Sequence, residues 1–267
     1  MRLLSILSIA AMMILAFASC EKVIDIKLND TAKKYVVEGN ITNEAGQCVV
    51  SITQTKNFSE NNDFAGVGGA VVTVSDNGGA ALPLTETTPG IYTTTMITGT
   101  TGHVYTLQVA VGGQAFTAIS TMPVPVNLDT VFIEDRALFG DSTKIVNVTY
   151  KDPIAKGNSY RFIQYRNNVR EKTVFVTNDD FTNGNNVTNQ LLIFGDDDDD
   201  KKIKSGDIIR VNMQCIDVPV YTYWFSIDAA TGESNNATPA NPVSNIMGGA
   251  LGYFSAHTTQ SKTVVVP

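Results

Sequence analysis

Histidine, cysteine and tryptophan are scarce in this chain: its 267 residues hold two, three and one of them. His103 and His257 have no second ligand at H-x-x-x-H or C-x-x-C spacing, so no metal site is written locally into the sequence and no cofactor is expected. No G-x-S-x-G elbow presents a serine nucleophile, and the two histidines read as structural. An enzyme is therefore not the expectation. Basic residues are outnumbered, 19 Lys and Arg against 26 Asp and Glu for a net charge of −7, and they form no cluster. That balance excludes a nucleic-acid partner. Helical periodicity is also missing: no stretch keeps a 3.6-residue apolar repeat over three turns, and a short helix within residues 229–236 is the most the pattern allows.

Long apolar runs are limited to one. Leu3 to Ala18 follows Arg2, contains no charge, and closes on Phe17-Ala18-Ser19-Cys20 before Glu21 and Lys22. The run is shorter than the roughly 20 residues a bilayer-spanning helix needs and has the layout of a cleaved export signal. The string "FASC" resembles the lipobox of bacterial lipoproteins, with Phe17 where leucine is usual. The resemblance implies that Cys20 is acylated and becomes the mature N-terminus, after removal of a signal peptide over residues 1–19. Each buried methylene of a lipid chain contributes about 0.8 kcal/mol, so an acylated Cys20 would moor the rest to a membrane. Losing Arg2 with the signal moves the net charge to −8. Export implies an oxidising compartment, but the remaining pair, Cys48 and Cys215, lie far apart with no framework spacing. They could pair; two buried free thiols fit the sequence better.

Beyond a polar tether (20–34), residues 35–122 read as short strands. "YVVEGNIT", "CVVSITQT", "AVVTVSD", "IYTTTM", "HVYTLQVAV" and "QAFTAIST" are rich in β-branched and aromatic residues and are separated by "NEAG", "DNGG", "TPG", "TGTTG" and "GG". In the fifth, Tyr105, Leu107, Val109 and Val111 share one face. Gly112-Gly113 predicts a tight hairpin. The string from "VGGAVVTVSDNGG" to "TGTTGHVYTLQV" resembles the immunoglobulin-like, carboxypeptidase-regulatory type of β-sandwich, and Gly102-x-x-Tyr105 resembles a tyrosine corner.

"MPVPVNLDTV" (122–131) holds Pro123 and Pro125, which favour extended chain and mark a boundary. Residues 126–267 read as a second antiparallel β domain, with strands expected at 144–150, 159–166, 172–177, 190–194, 207–217, 220–227, 252–257 and 262–266. The fold class is thus all-β. "NDDFTNGN" (178–185) departs from a calcium loop, with Phe181 at the third position and no closing glutamate; a turn in which Asp and Asn side chains bond the backbone fits better. "GDDDDDKK" (195–202) reads as the solvated tip of a long hairpin. Along "YTYWFSI", a strand puts Tyr221, Tyr223 and Phe225 on one face and Trp224 on the other. Trp224 then either faces outward as a ligand or partner contact, stacking on a sugar or anchoring a protein, or packs between domains.

"YVVEGNITNEAG", "VGGAVVTV", "YKDP", "DDFTNG", "SGDIIRVNMQCIDVPVYTYW" and "ATPANPVSNIMGGALGYFSA" together resemble the Bacteroidetes lipoproteins catalogued as domain of unknown function 4249, over nearly the whole chain. That resemblance implies an outer-membrane, surface-exposed accessory of a TonB-dependent transporter in nutrient or metal-complex uptake; the missing catalytic motifs add that it is a non-enzymatic binding or docking accessory, with a glycan, peptide or metal complex as the candidate ligand. A structural surface protein, an adhesin or pilus-like subunit, is the alternative. No catalytic residue is carried over.

Overall fold

A computed structural model describes residues 32–46, 48–57, 60–61, 63–138, 141–193, 202–231 and 241–267. Cys20 and the signal peptide lie outside these residues, as does the acidic run 195–200. In chain order the strands are β1 (Tyr35–Thr42), β2 (Cys48–Gln54), β3 (Val71–Asp76), β4 (Leu82–Pro83), β5 (Thr85–Thr88), β6 (Ile91–Thr94), β7 (Val104–Val111), β8 (Gln114–Thr121) and β9 (Leu128–Leu138). They continue with β10 (Asp141–Lys151), β11 (Ser159–Arg166), β12 (Val169–Arg170), β13 (Phe175–Asn178), β14 (Asn186–Leu191) and β15 (Ile208–Ile216). A helix, α1 (Val218–Thr231), precedes β16 (Ile246–Met247) and β17 (Leu251–Val265).

Nearly all of this is strand, as the composition of the segments predicts. Two sandwiches result. A five-stranded sheet, β16-β8-β7-β3-β4, and the β17-β1-β2-β6-β5 part of a nine-stranded sheet enclose a core built on Val37, Ile52, Tyr92, Leu107 and Phe254. A three-stranded sheet, β14-β10-β9, and the β17-β15-β11 part of the long sheet enclose a second core around Val148, Tyr150, Tyr160, Val211 and Met213.

β17 belongs to both. Its first half pairs in parallel with β1, Val36 opposite Leu251 to Thr42 opposite His257. Its second half pairs antiparallel with β15, Cys215 opposite Thr258 to Ile208 opposite Val265. The sequence reading places two strands here and all of 126–267 in the second domain. In the structure the strand is continuous, and Ile246, Ala250, Phe254 and Ala256 complete the first core.

The tyrosine corner is formed: the Thr100 N–H donates to the Tyr105 hydroxyl at 2.7 Å, tying the loop to a fully buried ring. Tyr105→Phe leaves that N–H unpaired, so chemical denaturation should register a loss of about 1–2 kcal/mol. Gly112 and Gly113, at φ of 56° and 76°, turn the β7–β8 hairpin with Val111 opposite Gln114. Cys48 and Cys215 are free and buried in different cores. Burial pushes the Cys48 thiol up to about 12 and raises that of Cys215.

Two local readings need correction. "VYTYWFSI" is helix, not strand. Asp217 caps it, Oδ1 accepting from the Val220 N–H at 3.2 Å, and Pro219 sits in the first turn where no N–H is needed. The strands on either side of the acidic run do not pair with each other as the hairpin reading expects: among the described residues β14 pairs with β10, whereas β15 pairs with β11 and β17.

Candidate functional site

Alternation along the long sheet turns Phe254, Ala256, Cys215, Tyr160 and Phe162 toward the cores and Tyr253, Ser255, His257, Gln214 and Arg161 to the opposite face. α1 lies on that opposite face. It packs Val220, Tyr223 and Trp224 against Ile216 and Tyr253, with Val174 and Val176 at the margin. Trp224 is 8% exposed and meets Tyr223 and Tyr253 edge-on, at centroid distances of 5.2 and 5.1 Å. It offers no stacking face to solvent.

Its ring face is occupied by Arg161, whose guanidinium carbon lies 3.4 Å from the indole centroid. The charge is almost wholly buried, and desolvation lowers the Arg161 pKa to about 10, with Tyr253 acting in the other direction. An aromatic face compensates a desolvated cation by about 2 kcal/mol or more. Arg161 Nη1 also donates to Gln214 Oε1 at 3.3 Å, which orients the amide. Gln214 Nε2 is then the donor to His257 Nε2 at 2.8 Å. With that ring nitrogen accepting, the proton of neutral His257 sits on Nδ1 and is donated to Ser255 Oγ at 2.9 Å. Every step runs from donor to acceptor away from the fixed cation.

The consequence is chemical. His257 in this tautomer has no acceptor position facing Ser255, so it cannot take the serine proton, and both side chains are buried. Burial and the Arg161 charge lower the His257 pKa to about 4. The unfolded chain, with an ordinary pKa of about 6.5, takes up a proton that the folded chain refuses. Stability should therefore be full above about pH 6.5 and fall by about 3 kcal/mol on acidification to pH 4. Urea titrations across that range check this, and His257→Gln should flatten the slope.

The solvent side of α1 carries a different surface. Tyr221 and Phe225 stack at 5.7 Å with 28° between planes, and Phe225 is 52% exposed beside exposed Val218. A strand puts Tyr221, Tyr223 and Phe225 on one face and Trp224 on the other; the helix instead buries Tyr223 and Trp224 together, leaves Tyr221 partly buried at their margin and exposes Phe225. Asp217 anchors the helix from below. Its Oδ2 accepts from Ser120 Oγ at 2.8 Å and the Thr121 N–H at 2.9 Å, joining α1 to β8. Burial raises its carboxyl pKa while those bonds lower it.

His103 is elsewhere, its Nδ1 2.8 Å from Asp76 Oδ1. "NDDFTNGN" is the expected turn. Asp179 Oδ2 accepts from the Asn158 N–H at 2.9 Å, and Asn183 Nδ2 donates to the Asp179 carbonyl at 2.7 Å. The turn leaves Phe181 exposed. A cleft of about 310 Å³ lies between Val174, Phe175, Leu191 and Asp228, near the helix. No cluster of three or more metal-ligating side chains occurs among the described residues. Sequence reasoning missed Arg161 and Gln214, for which β11 and β15 gave no motif.

Among solved structures, the chain is similar to the chicken interferon gamma receptor alpha chain at 10% identity and a TM-score of 0.26, over 89% of this chain and 100% of that one. A second likeness is to a chain of a cytokine receptor complex, at 12% identity and a TM-score of 0.24, over 86% and 95% of the two chains. Likenesses at this level carry no argument about function. No curated protein matches the chain. The family model described as domain of unknown function (DUF4249) matches residues 21–263, almost everything beyond the apolar leader, and the chain belongs to that family.

Proposed function

We propose that the protein is a non-enzymatic lipoprotein, held at the outer membrane by an acylated Cys20 and exposed at the cell surface, that serves as a docking accessory of a TonB-dependent transporter in nutrient uptake. The anchor and the transporter follow from the N-terminal sequence pattern and the family resemblance. The observation that supports docking is Phe225, 52% exposed on the outer side of α1 and stacked on the partly buried Tyr221. Exposed rings of this kind bury much area at little entropic cost when a partner closes over them. Their mounting is stiff, because Trp224 and Arg161 fix the inner side of the same helix and Asp217 its start. Catalysis gains nothing from the buried Ser255–His257 pair in the tautomer that Gln214 imposes.

Affinity capture through the full-length protein in its native membrane should recover a β-barrel transporter. Phe225→Ala should reduce recovery at least about tenfold, the range of an interface hot spot, while leaving the unfolding midpoint unchanged. Capture without any barrel protein, or capture indifferent to Phe225, overturns the reading.

A further inference from the structure

β9 ends the three-stranded sheet. Its ladder to β10 runs from Leu128 to Leu138, and among the described residues no other backbone group hydrogen-bonds to it. Among the described residues, side chains reach its backbone only at the start: Gln260 Oε1 accepts from the Leu128 N–H at 3.1 Å, and Lys262 Nζ donates to the Asp129 carbonyl at 2.7 Å. Residues 130–138 thus leave one edge open, and an open edge is a template for another strand.

We propose that this edge pairs with the same edge of a second copy of the chain, antiparallel and two-fold, centred on Asp135, so that two three-stranded sheets become one of six. The register follows from symmetry and charge. A two-fold axis normal to a sheet keeps each residue on its own face, so it passes through a residue position and pairs only positions whose numbers sum to an even value. Centring on Asp135 sets Glu134 opposite Arg136 twice, Phe132 opposite Leu138 and Ile133 opposite Ala137. Centring on residue 134 or 136 also puts a like pair on the axis but does not set Glu134 opposite Arg136, and centring on 133 or 137 leaves Glu134 and Arg136 without opposite charges.

Within one chain Arg136 Nε already lies 3.1 Å from Glu134 Oε2, both side chains being about half exposed. The pair exchanges an intrachain contact for an interchain one without new desolvation of the core. Asp135 meets its own copy on the inner face, where Lys144 Nζ stands 3.1 Å from Asp135 Oδ1 on each side. The two lysines offset the two carboxylates. Such a two-fold contact closes on itself and does not propagate into a fibre.

Directly opposed strand residues have Cα atoms about 4.5–5.5 Å apart, inside the range of about 4.4–6.8 Å that a disulfide spans. Full-length protein carrying Asp135→Cys should form a covalent dimer on mild oxidation, whereas Thr130→Cys, whose counterpart in this register is residue 140, should not. Adding Glu134→Arg or Arg136→Glu to Asp135→Cys should lower the yield about tenfold through like-charge pairs, and adding both should restore it. These side chains are exposed, so unchanged thermal unfolding will show each variant folded. Equal cross-linking from Thr130→Cys, no rescue by the double exchange, or a monomer of the unaltered protein in detergent sedimentation overturns the proposal.

Discussion

Trp224→Ala is expected to destabilise the protein by about 3–5 kcal/mol, the range for truncating a large buried aromatic. Two losses combine. The void opens between α1 and the long sheet, where Tyr223 and Tyr253 lean on the indole edge. The Arg161 guanidinium also loses the ring that faces it at 3.4 Å and is left desolvated, with Gln214 as its hydrogen-bonded support. Trp224→Phe keeps an aromatic face and should lose less than half as much. Phe225→Ala, one position along, should stay within about 0.5 kcal/mol because its ring is half in solvent. Trp224 is the chain's one tryptophan, so circular dichroism rather than fluorescence is the probe for its variants. A strand at this position would invert the order of the neighbouring substitutions, which makes the pair a test of the helix as well as of the stacking.

The same segment shows where the sequence was legible. β1, β8 and β11 match the expected ranges to the residue, because alternating β-branched residues bounded by turn chemistry admit few other readings. "VYTYWFSI" has the same composition yet forms helix, since apolar residues stand on its exposed side, Phe225 and Val218, as well as on its packed side and leave no polar face to mark helical period. The signal that was present lay just outside it: Asp217 as cap and Pro219 in the first turn, followed by a run too long to need a break. Arg161 and Gln214 could not be read at all. Their roles depend on β11 and β15 being neighbours and on α1 covering that face, which are long-range facts. The joining of the two sandwiches through β17 was hidden for the same reason, as no local pattern distinguishes a strand that changes partners midway. β9 was partly concealed by the prolines before it, which mark extended chain but not where pairing begins.

Gly252→Ala is the second substitution with a large expected effect, and it tests that joining directly. Gly252 has φ of 98° and lies opposite Val37 in the parallel β1–β17 ladder. A Cβ there would overlap the Val37 carbonyl, a backbone group that is itself held between β2 and β17. Neither the positive φ nor the contact can be relieved by rotating a side chain, so the strand must move away from β1. Moving it withdraws Phe254 and Ala256 from the first core and shifts Tyr253, Ser255 and His257 on the other face. A loss above about 4 kcal/mol is expected, in the class of backbone strain compounded by core disruption. Gly249, at φ of 93° with open space around its missing Cβ, supplies the comparison. Gly249→Ala meets only the conformational penalty and should cost about 1–2 kcal/mol. Equal effects at the two positions in chemical denaturation would show that the close approach of β17 to β1 does not hold the sandwiches' shared strand in place.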